Sequence, residues 1–182
     1  MSGILFLDLS KHVGWAFGRS ADAVPLWGVK DLPESGGYGH VFNSLMNTLE
    51  DLLEEHQPTR VGVEDIISQR HNSTYTARLT AGLHAVTDLV CYQAGITPER
   101  VNVDRIRKTV IGRARLTALE KTARPKLTVK SEIVEPWIEH YGWGDISDHN
   151  ARDAAVGFAY LIGVQVERSI ARPHRVIHNK TS

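Results

Sequence analysis

Cysteine is nearly absent. Cys91 is the only one, so no disulfide can staple the chain to itself. Its place in the apolar stretch AVTDLVCYQAG (85–95) reads as a small core residue rather than a nucleophile. No hydrophobic run approaches the roughly 18 residues a membrane span needs. The opening MSGILFL has no basic leader region and meets Asp8 too early for a signal peptide, so the expectation is a soluble, cytoplasmic protein. Nor is there an excess of either charge: Lys and Arg number 21, and so do Asp and Glu. That total speaks neither for nor against nucleic acid; only the distribution can. No repeat, linker or low-complexity tract interrupts the 182 residues, a length that suits one domain with a sizeable core.

What is present is an α/β pattern. Strand-like runs lie around residues 3–9, 13–19 and 24–30, separated by stretches short enough for hairpin turns. From about Tyr38 to His56, Val41, Leu45, Leu49, Leu52 and Leu53 recur at helical spacing, and Gln57–Pro58 stops the helix. RVGVEDII (60–67) reads as a buried strand. A long helix follows, with Asn72 or Ser73 as its cap and Gly95 as its stop. ERVNV (99–103) is a short strand leading to a short helix around DRIRKTVIG. A basic loop then precedes a helix from about Thr128 to Tyr141, in which Pro136 predicts a kink or an early end. A last helix is expected from Asp148 to about Ile170. The domain so defined spans 1–170, and 171–182 is a basic tail.

Charge is segregated along the chain. Residues 31–64 hold seven acids and one base, a net of −6, while residues 100–130 hold ten bases and two acids, a net of +8. A charge run is ordinarily a solvated face. This one includes GRARLTALEKTARPK, which has few large apolar residues to pack, so a phosphate-tracking surface is the better reading.

Two acids stand where a strand should be apolar: Asp8 ends ILFLD and Glu64 interrupts VGVEDII. An ionised carboxylate buried without a partner costs several kcal/mol, so each must meet a cation or be neutralised. Lys11 or Arg60 could serve as simple ion-pair partners; the alternative is a shared metal. For a third ligand, DISDHNARDAAVGFAYLIG offers His149 and Asp153, four apart and on one helix face. Ala154, Ala155 and Gly157 are small enough to let that helix lie close on a sheet. Asp145 and Asp148 have an ordinary reading as acids at a helix entry. Asp153 is harder to explain that way, because it precedes an almost wholly apolar helix.

Strand Asp, strand Glu and late-helix Asp in that order resemble the ribonuclease-H-like superfamily. The finer resemblance is to the RuvC family of Holliday-junction resolvases, its phage-type members in particular. LFLDLSKHVGWAFG resembles that family's first strand and turn, VGVEDI its acid-bearing fourth strand, NSTYTARLTAGLHAV the helix after it, and DHNARDAA its final acid motif. IRKTVIG and TVKSEIVEPWI resemble its paired basic segments, with Lys108 and Lys130 at the positions of DNA-contacting lysines. The likeness runs from about residue 4 to 163. No piece is specific alone; five in order are.

The resemblance implies a mixed five-stranded sheet, three antiparallel strands first and then two parallel, flanked by helices. It implies a nuclease resolving four-way DNA junctions by paired nicks, with two Mg²⁺ ions (Mn²⁺ able to substitute) held by Asp8, Glu64, His149 and Asp153. Hard cations take oxygen ligands, and two of them roughly 4 Å apart can activate water and stabilise the leaving oxygen. Lys108, Arg113, Arg115 and Lys130 would contact DNA. Paired cutting of like strands implies a two-fold homodimer, for which Tyr75, Leu79, Leu83 and Val86 form a candidate stripe; the same stripe could equally cover the sheet. The family often has a second acid three residues before the last, where Asn150 stands, so Asp148, His149 and Asn150 all remain candidates to complete the site. It also often carries an aromatic soon after the strand Glu; here Arg70 or His71 would have to stack. Two other readings stay open: a ribonuclease-H-like nuclease on flaps or RNA–DNA hybrids, and a catalytically inactive module that binds branched DNA.

Overall fold

The structure is a computed structural model and describes residues 3–65, 73–123, 126 and 128–163. The chain opens as a meander of β1 (Ile4–Asp8), β2 (His12–Gly18) and β3 (Leu26–Asp31). Ser10 closes the first turn, its hydroxyl accepting from the His12 N–H and donating to the His12 carbonyl. Then come α1 (Gly37–His56), β4 (Arg60–Glu64), α2 (Thr74–Gln93), β5 (Glu99–Val101), α3 (Val103–Val110) and α4 (Ala118–Ala123). A π-helical turn (Lys130–Val134) runs into α5 (Glu135–His140), and α6 (His149–Leu161) is the last described element. The sheet order is β3-β2-β1-β4-β5, with β1, β2 and β3 antiparallel and β1, β4 and β5 parallel. This is the ribonuclease-H-like architecture expected from the resemblance.

Strand alternation divides the core in two. Leu5, Leu7, Val13, Phe17, Val61 and Val63 face α1 and α2, where they meet Leu45, Leu49, Leu79, Leu83 and Cys91. Ile4, Phe6 and Ala16 face the other way and pack with Ala151, Ala154, Ala155 and Phe158 of α6. That second face also carries Gly14 and Gly62, and α6 lies close on it. A Cβ on Gly157 would fall 2.2 Å from the Phe6 ring, and one on Gly14 would fall 2.3 Å from the Asn150 carbonyl oxygen.

Side-chain caps fix the helix starts. Ser73 caps α2, Asn102 caps α3 and Asp148 caps α6. Two expectations need correction. The basic stretch after Gly112 is not all loop: Thr117 and Glu120 exchange hydrogen bonds as a capping box and start α4. The final helix ends at Leu161, with Gly163 left-handed at φ 89° just beyond it, and residues 164–170 of the expected helix lie outside the described residues. Of the two readings open for the α2 stripe, Leu79 and Leu83 take the one that covers the sheet: they are core residues, 6% and 1% exposed. The basic tail, Arg70, His71 and Asn72 lie outside the described residues. Among the described residues, no helix is long and apolar enough to cross a membrane.

Pro136 acts as its chemistry requires. It has no N–H to give the carbonyl four residues back, that of Glu132. Arg113 Nη2 donates to that carbonyl instead, at 3.3 Å. The preceding turn widens, with the Glu135 N–H bonding the Lys130 carbonyl in the five-residue spacing of a π-helix.

Candidate active site

Three carboxylates converge on the α6 face of the sheet. Asp8 ends β1 and Glu64 ends the adjacent parallel strand β4, each one position past Leu7 and Val63, the last pair between those two strands. Both are partly buried. Asp153 descends from the second turn of α6, its side chain only 7% exposed. The expected ion-pair partners are engaged elsewhere. Arg60 holds Glu99 through Nε at 2.7 Å and Nη2 at 3.0 Å, and Lys11 stands 5.9 Å from the centre of the Tyr75 ring.

Their electrostatics show how crowded the carboxylates are. Burial, then the charges of Glu64 and Asp153, push the Asp8 carboxyl from 3.8 up to about 8. Burial and the charge of Asp153 push Glu64 from 4.5 up to about 7. Arg107 and Lys130 pull both the other way without cancelling the rise.

Asp153 is the member that has cations. Arg107 Nη2 donates to Oδ1 at 2.9 Å, and Lys130 Nζ stands 2.8 Å from Oδ2. Arg107 comes from α3, whose buried Val103, Ile106 and Val110 turn it inward; its side chain is 14% exposed. Lys130 begins the π-helical turn, is 41% exposed, and also donates to Asn150 Oδ1 at 3.4 Å. Arg107 did not stand out in the sequence as a site residue.

The three candidates at the start of α6 separate cleanly. Asp148 is spent as the cap, its Oδ1 accepting from the Asn150 N–H at 2.6 Å and the Ala151 N–H at 3.2 Å. Asn150 is buried and turned toward Lys130. His149 is exposed and lines a cavity of about 270 Å³ with Thr128, Lys130, Ser131, Val134, Glu135 and Arg152. It is not among the groups acting on Asp8 or Glu64. Of the residues expected at DNA, Lys108 is exposed on α3. Arg113 pairs with Glu120 at 2.7 Å, and Arg115 pairs with Asp104.

A hard divalent cation suits this donor set by charge and ligand type: three carboxylates, two of them raised above their usual range by burial and by the charge of Asp153. The carboxylates are near enough to repel but are not arranged as a cage. Among the described residues, no group of three or more His, Cys, Asp or Glu side chains is placed to hold a metal ion. Both oxygens of Asp153 are turned to Arg107 and Lys130.

No protein-family model and no curated protein matches the chain. Solved structures do. The structure of Thermus thermophilus RuvC matches at 13% identity over 90% of this chain and 98% of that one, with a TM-score of 0.61. T. thermophilus RuvC in complex with Holliday junction substrate matches at 13% identity over 89% and 96%, with a TM-score of 0.65. The chain therefore shares its fold with RuvC-type resolvases.

Proposed function

We propose that the chain is a metal-dependent endonuclease that resolves four-way DNA junctions by paired nicks. The observation that carries this reading is the meeting of Asp8, Glu64 and Asp153, from three distant stretches of sequence, on one face of a rigid sheet. The shared fold and the net charge of +8 over residues 100–130 support it.

Asp8, Glu64 and Asp153 would hold the metal, with Mg²⁺ the expected ion and Mn²⁺ a substitute. A pair of such ions would supply an activated water and a charge for the departing 3′ oxygen. The remaining work falls to the chain. The sheet keeps Asp8 and Glu64 fixed, Arg107 orients Asp153, and Lys108 and Lys130 bind phosphates, with Arg113 and Arg115 alongside. Symmetric cutting calls for a second copy, and the outer side of α2 supports one. There Leu89 is 50% and Tyr92 81% exposed, in line with exposed Ala81 and Ala85. The domain would span 1–170 with a basic tail after it.

The test is purified protein on four-way junctions, flaps, RNA–DNA hybrids and linear duplex, in Mg²⁺ or EDTA. Paired nicks in the junction alone, lost in EDTA and in Asp8→Asn, are the expected result. Cutting of flaps or hybrids in preference would move the protein to another nuclease class. Two observations favour a second reading, a binding module without catalysis: both oxygens of Asp153 are held by cations, and Asn150 stands where the family often has an acid. Tight junction binding with no cleavage in Mg²⁺ or Mn²⁺ would establish it.

A further inference from the structure

The cavity beside the carboxylates shares one wall with them, and that wall is Lys130. On one side its ammonium lies against Asp153 and Asn150; on the other its side chain lines the cavity with His149, Thr128 and Ser131. Arg152 also lines the cavity, but its Nη1 is held by Glu135 at 2.5 Å and its Nε by the Ile146 carbonyl at 2.6 Å. Lys130 is therefore the cation there with freedom to turn. It differs in this from its companion on Asp153. Arg107 is 14% exposed and donates to Asp153 through Nη2, whereas Lys130 is 41% exposed, a compact charge on a flexible stem. His149 and the two hydroxyls add hydrogen-bonding groups around the opening, Val134 supplies an apolar surface, and Glu135, the remaining lining residue, has its carboxylate on Arg152. A cation with an imidazole and hydroxyls beside it suits a phosphodiester.

We propose that this cavity is a subsite for a phosphate of the DNA strand, and that Lys130 is its gate: paired with Asp153 while the cavity is empty, it blocks the metal ligand and swings to the phosphate when DNA enters. Rotation about the lysine stem exchanges one anionic partner for another, so the charge balance of the cavity and of Asp153 changes together. Substrate and metal then bind cooperatively, because each needs Lys130 away from Asp153. In this arrangement His149, which the resemblance would put on the metal, is a substrate contact. The inference rests on the nuclease reading above, since it takes Asp153 as a metal ligand.

The test is Mn²⁺ affinity, read by electron paramagnetic resonance without DNA, together with junction binding in EDTA. Four proteins are compared: wild type, Lys130→Met, His149→Ala and Arg105→Met. Lys130→Met is expected to bind Mn²⁺ at least about tenfold more tightly than wild type while binding the junction more weakly. Arg105→Met removes an exposed charge from α3 without touching Asp153, and should leave Mn²⁺ affinity within about twofold. His149→Ala should weaken junction binding several-fold and leave Mn²⁺ affinity unchanged. Equal Mn²⁺ affinity in wild type and Lys130→Met would overturn the gate while leaving the nuclease reading standing. So would an equal gain in Arg105→Met, which would make the effect one of net charge. A tenfold loss of Mn²⁺ affinity in His149→Ala would return His149 to the metal and overturn the subsite. No Mn²⁺ binding in any of the four would remove the metal centre itself, and the gate with it.

Discussion

Asp8 and Gly14 sit directly opposite each other in the β1–β2 ladder, so both present the same face of the sheet to α6. The two do one job between them. Asp8 places a carboxylate at the strand end, and Gly14, by having no side chain, leaves room for the first turn of α6 to rest on the sheet. The Asn150 carbonyl oxygen lies 2.3 Å from where a Gly14 Cβ would be. Asp153, one turn further along, reaches the neighbourhood of Asp8 because of that close approach.

Gly14→Ala should therefore damage the site more than the fold. The atoms in its way are backbone, which cannot swing aside, so α6 must lift. Overpacking of this kind costs typically about 1–3 kcal/mol, readable by urea unfolding. Cleavage should fall by at least tenfold at temperatures where the variant remains folded. Full activity in a stably folded Gly14→Ala would mean that the spacing of α6 from the sheet does not set the geometry of the carboxylates.

The acids were legible because a charge inside an apolar strand violates its pattern, and the small residues of α6 were legible because only a close-packed helix needs them. Arg107 was not. It stood in a run of bases that reads as a surface when taken in sequence order, yet Val103, Ile106 and Val110 define a buried stripe with Arg107 beside it. That helical phase was the available signal. At the start of α6, successive residues differ by about 100° in direction, so only the actual cap could assign Asp148, His149 and Asn150. Likewise Tyr75, Leu79, Leu83 and Val86 form one helical stripe, and sequence alone left open whether it faces a partner or the sheet; Leu79 and Leu83 face the sheet.

The crowded carboxylates make stability depend on pH in a definite sense. Asp8 is raised from 3.8 to about 8 and Glu64 from 4.5 to about 7, so the folded chain keeps protons that the unfolded chain has already released. Stability is then greatest below the unfolded values and falls as pH rises through the folded ones. In EDTA, unfolding free energy should drop between pH 5 and pH 8 by at least about 1.4 kcal/mol, the equivalent of one pKa unit. Asp8→Asn should flatten that slope, and Mg²⁺ at pH 8 should restore wild type but not the variant. A wild-type curve that is flat or rises over this range, with its slope unchanged in Asp8→Asn, would contradict the crowding.

Arg107→Met leaves Asp153 buried with only Lys130 for company. Breaking a buried pair from one side costs about 3–5 kcal/mol; with Lys130 still present, the lower end is expected. Mg²⁺ should recover part of the loss, because it supplies positive charge at the same carboxylates. Chemical denaturation with and without Mg²⁺ measures both effects. Loss of stability without any Mg²⁺ rescue would make Arg107 a purely structural residue.

Lys108 and Arg115 should differ at DNA despite their equal charge. Lys108 is exposed with no acidic partner among the described residues, whereas Arg115 is shared with Asp104. Each phosphate contact contributes about 0.9 to the slope of log affinity against log salt. Lys108→Ala should reduce that slope by nearly that amount for a four-way junction, and Arg115→Ala by less. Identical slopes in all three proteins would place both residues off the DNA path.

Asn150→Asp adds a fourth carboxylate where the chain has a buried amide facing Lys130. Without metal the change should destabilise, because Lys130 must then answer to two acids and Asp8 and Glu64 are already raised by their neighbours. With Mg²⁺ the sign should reverse, since a further hard oxygen ligand favours a divalent cation. The measurement is the shift in unfolding temperature on adding Mg²⁺, wild type against variant, followed by the Mg²⁺ concentration giving half-maximal cleavage. A larger Mg²⁺ shift and a lower half-maximal concentration are expected in Asn150→Asp. If the variant is destabilised equally with and without Mg²⁺, position 150 lies outside the metal's reach. The start of α6 would then serve to bring Asp153 down onto the sheet and to hold Lys130, and not to bind the ion.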